Sequence, residues 1–277
     1  MTALRRSDWL LLAIAALFAL SIAYGLMFDP VETSLRNSLR APGADFLLGT
    51  DHLGRDVLAR IAHGFLLDFG LSLTIVALSF AIGVSIGMLA AEFAGPADRA
   101  LTFVMDVLTS LPQIVIALIL AAHLGGGSLS LILALSLTGW VKYARIARAT
   151  AFSLREREFV TAARVAGGGR LYVLRRHVLP HLLPIFSGLI ALQFGHNILN
   201  IAALGFLGIG VQPPAPEWGA MIAEARPYFS RAPWLAIMPG IYLFAITLFA
   251  LMIARSRWIR EMPTAYNQGS PATEARS

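Results

Sequence analysis

Long stretches without a single charged residue alternate along this chain with short, densely charged ones. Five charge-free runs stand out: 9–28, 69–91, 107–141, 177–216 and 232–254. A bilayer core needs about 20 apolar residues per helical crossing and tolerates few charges. Each run is long enough for one span, and 107–141 is long enough for two, with Gly125, Gly126, Gly127 and Ser128 as the break between them. The pattern predicts an all-α membrane protein of six transmembrane helices: Trp9 to Phe28, Phe69 to Ala91, near Ala100 to His123, Leu129 to Ala149, Leu182 to Leu204 and Ala232 to Ala254. The first follows Arg5 and Arg6, but its apolar run exceeds a signal-peptide core and no small-residue cleavage site follows, so it is expected to stay as a span.

Charge in the connecting segments sets the direction. With both termini on the cytoplasmic side, sixteen of the 22 basic residues fall in inner segments, and only Arg36, Arg40, Arg55, Arg60, Arg226 and Arg231 fall outside. That is the positive-inside distribution. The formal net charge of +6 therefore follows membrane topology and contact with anionic lipid, with no need for nucleic acid. The expected organisation is a first segment 1–28, an extracytoplasmic segment 29–68, a core 69–260 containing an inner segment 150–181, and a polar tail 261–277.

Composition agrees and removes several activities. Of 277 residues, 57% are hydrophobic and 14% charged, far from the roughly one-quarter charged residues of a soluble domain. The only lysine, Lys142, lies in Gly139-Trp140-Val141-Lys142-Tyr143, which excludes a G-x-x-x-x-G-K-[ST] phosphate loop. Without cysteine there is no disulfide, thiolate metal site or thiol nucleophile. No H-E-x-x-H motif and no cluster of acid and base residues suggests an enzyme.

Several places carry candidate chemistry. In 150–181, apolar and small residues recur at helical spacing, three glycines interrupt, and a second apolar stripe follows, predicting two short helices with a bend; Pro180 and Pro184 are expected to bracket the entry to the next span. In the fifth span, Gln193, His196, Asn197 and Asn200 share one helical face, which must meet a partner helix or a translocation path rather than lipid. A single imidazole among amides makes His196 at most a transient metal contact, and no firm metal site is expected. Asp68 and Asp106 are expected at span ends, facing headgroups or exposed helix amides. Gly83 and Gly87, in G-x-x-x-G spacing, predict a close helix crossing. On the outer side, Gln212 to Gly219 combines prolines with Trp218 and predicts a rigid element at the membrane surface.

The run Glu158-Phe159-Val160-Thr161-Ala162-Ala163-Arg164-Val165-Ala166-Gly167, then nine residues, then His177-Val178-Leu179-Pro180, resembles the EAA loop of permease subunits in binding-protein-dependent ABC importers. Thr161 and His177 stand where that loop has glutamate and isoleucine. Leu48 to Asp56 and Phe206 to Gly219 are similar to the dipeptide, oligopeptide and nickel branch, in its C-type permease subunit. The resemblance implies that Glu158, Thr161, Ala162, Ala163 and Gly167 couple to a cytoplasmic ATPase. It places Glu217, Trp218, Glu224 and Arg226 near a docked binding protein, and makes Gln193, His196, Asn197 and Asn200 candidates for the pathway. The implied setting is a multi-pass protein of the bacterial inner membrane with a homologous permease subunit, two ATP-binding subunits, an extracytoplasmic solute-binding protein and lipid as partners. ATP and magnesium belong to the partner subunits, and no cofactor to this chain. Nickel or a nickel chelate is the expected cargo, with short peptides as the alternative within the family and a gradient-driven secondary transporter as the alternative outside it. The absence of a midspan carboxylate and of an internal repeat counts against the last.

Overall fold

A computed structural model of the chain describes residues 6–93 and 95–266, with side chains from 9 to 93 and 95 to 255. The expectations for the two termini and for the tail beyond Tyr266 lie outside the described residues. The described architecture is all-α: α1 (Arg6–Gly25), α2 (Val57–Phe93), α3 (Pro96–Ser110), α4 (Gln113–His123), α5 (Gly127–Leu154), α6 (Glu158–Val165), α7 (Arg170–Val173), α8 (Leu179–Phe206), α9 (Trp218–Ala225) and α10 (Trp234–Tyr266). Four helical runs among the described residues are long and apolar enough to cross a membrane, Val57–Phe93, Gly127–Leu154, Arg170–Phe206 and Trp234–Arg255, and a fifth is formed if α3 and α4 count as one broken span. The apolar part of α1, Trp9–Gly25, is shorter. At about 1.5 Å per residue it reaches roughly 25 Å, below a hydrocarbon core of about 30 Å.

Several spans depart from the charge-free runs. The helix expected from Phe69 begins at Val57 instead, because Asp56 caps it: its Oδ1 accepts hydrogen bonds from the amides of Leu58 (2.7 Å) and Ala59 (3.1 Å). Arg60 and Asp68 are carried inside the helix and buried there. The expected third span is two helices meeting at 90°. Leu111 leaves the helix in an extended conformation and Pro112 restarts it, as proline requires of the residue before it. The glycine break is where the sequence places it, between His123 and Gly127.

At the other sharp boundary the prolines do not act as expected. Pro180 sits in the first turn of α8 and Pro184 within it, while α7 runs through a π-helical turn, Leu174–Val178, directly into α8. The wider π-helical turn lies immediately before the prolines, where their rings and missing amides would interrupt the regular ladder, and the helical run continues from Arg170 to Phe206.

The bundle is held by α2 against α5. A Cβ added to Gly83 would lie 2.7 Å from Cβ of Tyr143, and one added to Gly87 would lie 2.9 Å from Cβ of Ala147. Tyr143, Ala144 and Ala147 are themselves buried. Between membrane helices there is no hydrophobic drive, so contact of small residues and backbone supplies the attraction. Around this crossing α4 and α8 pack through Ala117, Ala121, Leu131, Leu135, Ile201 and Leu204. At one end of α2, α1, α8, α9 and α10 close over Ile61, Trp218 and Tyr242. At the other, α6 and α7 close over Tyr143, Val160, Val173 and Phe186.

Gly83→Val is therefore expected to cost about 1–3 kcal/mol through overpacking and to lower the thermal unfolding midpoint of the detergent-purified protein. Gly70→Val, where an added Cβ meets nothing within 4 Å, is the matched control and does not lower the midpoint.

Candidate functional site

At the far end of α2 the chain builds a small projecting surface. Glu158, Phe159, Thr161 and Ala162 are exposed, Ala163 is half-buried, and Val160 points inward and is fully buried. Gly167 turns the chain at φ +87°, a conformation a β-branched residue resists. Beyond the turn, Leu171, Tyr172, Arg175 and Arg176 are exposed, and Val165 is 84% exposed. The predicted pair of short helices with a glycine bend is thus present, though the second helix is the start of α8. A buried carboxylate holds the segment to α2: Glu92 accepts a hydrogen bond from Arg164 at 2.7 Å and lies 3.8 Å from Arg170. Arg155 donates to the carbonyl of Ala91 at 2.8 Å. Phe159 stacks on His181, with ring centroids 4.9 Å apart.

The polar face of α8 divides. Gln193, Asn197 and Asn200 are buried, whereas His196 is exposed. Gln193 accepts a hydrogen bond from Nζ of Lys142 on α5 at 3.2 Å. Oδ1 of Asn197 and Nδ2 of Asn200 are buried without a hydrogen-bond partner, an arrangement that costs stability unless another group reaches them. Nearby, Gln113 of α4 lies 3.4 Å from the Thr138 hydroxyl of α5. Polar groups of α4, α5 and α8 thus form a seam through an otherwise apolar bundle. Lys142 is the residue of this seam whose role the sequence does not announce, since a single lysine among many inner basic residues looks like a topology signal.

At the opposite end, two of the residues expected to meet a binding protein are in the core. Glu217 has no exposed surface; its carboxylate caps α9, accepting from the amides of Gly219 and Ala220, each at 2.7 Å. Burial pushes its pKa up to about 7 against the pull of those two donors. Trp218 is also fully buried. Its indole nitrogen donates to the carbonyl of Ile61 at 3.0 Å, and its ring packs among Phe18, Phe65 and Tyr242. Tryptophan here fills the core with its one polar atom satisfied, so neither residue presents a docking surface. Asp68 is likewise not at a span end; it is buried beneath Trp218, whose amide donates to Oδ2 at 3.3 Å. Asp106 is exposed and pairs with Arg145 at 2.7 Å.

Glu224 joins a charge network that sequence reading did not find. Arg55 donates to Asp51 at 2.5 Å and to Glu224 at 3.0 Å; Arg60 donates to Glu224 at 3.3 Å and lies 3.7 Å from Asp51. The only local trace in the sequence is the i, i+4 spacing of Asp51 and Arg55, because Glu224 is far away along the chain. Asp51, His52 and Glu224 are close enough to share a metal ion. Both carboxylates already face guanidinium groups, however, which opposes a cation, and His52 stacks on Tyr228 at 5.1 Å. Arg226 is exposed, with its guanidinium 5.4 Å from the centre of the Phe206 ring.

Comparison with known proteins gives these features a family. Residues 83–259 match the family described as "Binding-protein-dependent transport system inner membrane component". The chain is 38% identical over 246 residues to the di/tripeptide transport system permease protein DppC of Pseudomonas aeruginosa, covering 86% of this chain and 80% of that one. It is 36% identical over 235 residues to the nickel transport system permease protein NikC of Escherichia coli K12, covering 85% of each. A putative peptide transport system permease protein of Brucella suis is 39% identical over 244 residues, 88% of this chain and 80% of that one. The fold is similar to a chain in an inward-facing structure of the MetNI methionine ABC transporter, with a TM-score of 0.54 at 17% identity over 72% of this chain and 96% of that one. A family match over most of the chain, with relatives of this identity over this coverage, leads to one conclusion: the chain belongs to the peptide/nickel/oligopeptide family of binding-protein-dependent ABC importers, as a permease component.

Proposed function

We propose that the chain forms one half of the membrane pathway of an importer for short peptides, in place of the nickel cargo expected from sequence. The observation that carries this reading is the seam between α5 and α8. It offers amide donors and acceptors, two of them buried without partners, which suit the amide and carboxylate groups of a peptide. For a metal it offers one imidazole, His196, whereas metal sites collect several ligands of fixed geometry. The Asp51, His52 and Glu224 trio has its carboxylates engaged by Arg55 and Arg60. Peptide permeases are also prominent among the relatives. In this reading Gln193, His196, Asn197 and Asn200 become accessible to cargo as the helices rearrange.

The remaining assignments follow from the positive-inside pattern and from family membership. The end carrying 29–56 and α9 faces outward toward a solute-binding protein, with Glu224 and Arg226 nearer that surface than Glu217 or Trp218. The end carrying α6 faces the cytoplasm. A second permease subunit completes the path, and two ATP-binding subunits supply ATP and magnesium chemistry. Glu158, Thr161, Ala162, Ala163 and Gly167 form the coupling contact, with Val165, Leu171 and Tyr172 giving the segment an apolar face to bury. The bond between Glu92 and Arg164 carries displacement of that segment into α2.

Three outcomes are expected. Proteoliposomes holding the complete transporter and its soluble receptor take up radiolabelled Ala-Ala in an ATP-dependent, saturable way; nickel uptake without Ala-Ala uptake would overturn the cargo assignment. Gly167→Val, which forces a β-branched residue to φ +87°, lowers receptor-stimulated ATPase activity about fivefold or more while the complex still elutes intact on size exclusion. In this cysteine-free chain, an impermeant thiol reagent applied to intact cells labels Glu32→Cys and spares Glu156→Cys. Labelling of Glu156→Cys alone would reverse the orientation.

A further inference from the structure

Lys142 lies 15 residues into α5, about 22 Å from its first residue at 1.5 Å per residue, and 12 residues from its last. That puts an ammonium group at a depth where a bilayer is hydrocarbon. The other basic residues on the following turns of α5 have carboxylate partners: Arg145 pairs with Asp106 and Arg148 with Asp98. Among the described residues no carboxylate lies within ion-pair distance of Lys142. Its hydrogen bond goes to the neutral Gln193 at 3.2 Å. The side chain is half-buried, the exposed His196 sits one turn from Gln193, and the unpartnered amide atoms of Asn197 and Asn200 continue the same face of α8. An unpaired cation at membrane depth is costly unless water or an anion reaches it.

From this geometry we infer that Lys142 is the charge-selecting residue of the pathway: its ammonium group is the counterion for carboxylate groups of peptides crossing the seam. The inference rests on the peptide reading above and adds a sign to it. A cation fixed in a low-dielectric cleft concentrates anionic groups and repels cations, so acidic peptides are favoured over basic ones at this point, and a bare divalent metal ion is disfavoured.

The test compares uptake of two dipeptides of opposite net charge, Ala-Glu and Ala-Lys, by proteoliposomes containing the whole transporter and its unaltered soluble receptor. Any preference of the receptor is the same for every permease variant and cancels when variants are compared. Lys142→Arg is expected to keep the Ala-Glu to Ala-Lys uptake ratio of the unaltered complex. Lys142→Glu is expected to lower that ratio by roughly tenfold, the low end of what a charged cleft does to association. Lys142→Gln, which keeps a polar partner for Gln193, is expected to lower it by a smaller factor and keeps the question decidable should Lys142→Glu fail to assemble. An equal change in uptake of both dipeptides in Lys142→Gln would overturn the inference, and is the result expected if the ammonium group meets a carboxylate of a partner subunit or only supports packing. Nickel uptake by the unaltered complex with uptake of neither dipeptide would instead overturn the peptide reading, and the charge selection with it.

Discussion

The crossing of α2 and α5 is the constraint on which the other contacts depend. In lipid, apolar side chains gain little by leaving one apolar neighbour for another, so helices associate through close packing and polar bonds. Gly83 and Gly87 let the backbone of α2 approach Trp140, Tyr143, Ala144 and Ala147 without an intervening side chain. Once that distance is set, α4 and α8 have fixed grooves to fill, and the two ends of α2 become fixed points for the segments that fold against them. The Trp218 cluster gathers around one end and the Val160 cluster around the other.

Ion pairing follows the same geometry. Arg60 is buried in the first turn of α2 and is tolerated because Glu224 and Asp51 both reach it. Glu92 is buried near the last turn and is held by Arg164. Pairs of this kind seldom add much net stability, yet removing one partner leaves a buried charge alone. They therefore fix the positions of the 29–56 segment, α9 and α6 relative to α2 more than they strengthen the fold. The seam between α5 and α8 differs, since a lysine there faces amides instead of a carboxylate.

How much of this the sequence discloses depends on whether the cause is local. Charge-free runs locate the apolar parts of the long helices, and the glycines at 125–127 mark a turn, because both effects act within a few residues. The true start of α2 is hidden, since Arg60 and Asp68 look incompatible with a span until Glu224 and the amide of Trp218 come near them in space. The 90° break at Pro112 is written in the proline, but a charge-free run on both sides masks it. Glu217 and Trp218 read as surface groups by type; their burial depends on two amides of α9 and on rings from α1, α2 and α10. For the candidate residues, the glycine turn at 167 and the shared face of α8 were legible. The partition of that face into buried amides and an exposed imidazole was not, because it is set by the helices packed around α8, namely α10 and α2 as well as α5.

The contact glycines divide α2 very unequally. From Gly87 to Glu92, the residue that grips α6, is five residues, or about 8 Å; from Gly83 back to Val57 is 26 residues, or about 39 Å. The pairing with α5 is not confined to the glycines, however: Leu71 and Ile75 meet Leu131 and Leu135, and a Cβ added to Gly139 would lie 2.9 Å from Oγ of Ser79. The two helices lie side by side over several turns, so a pull on Glu92 is borne by both of them together, and a residue inserted between Gly87 and Glu92 would rotate the grip away from Arg164.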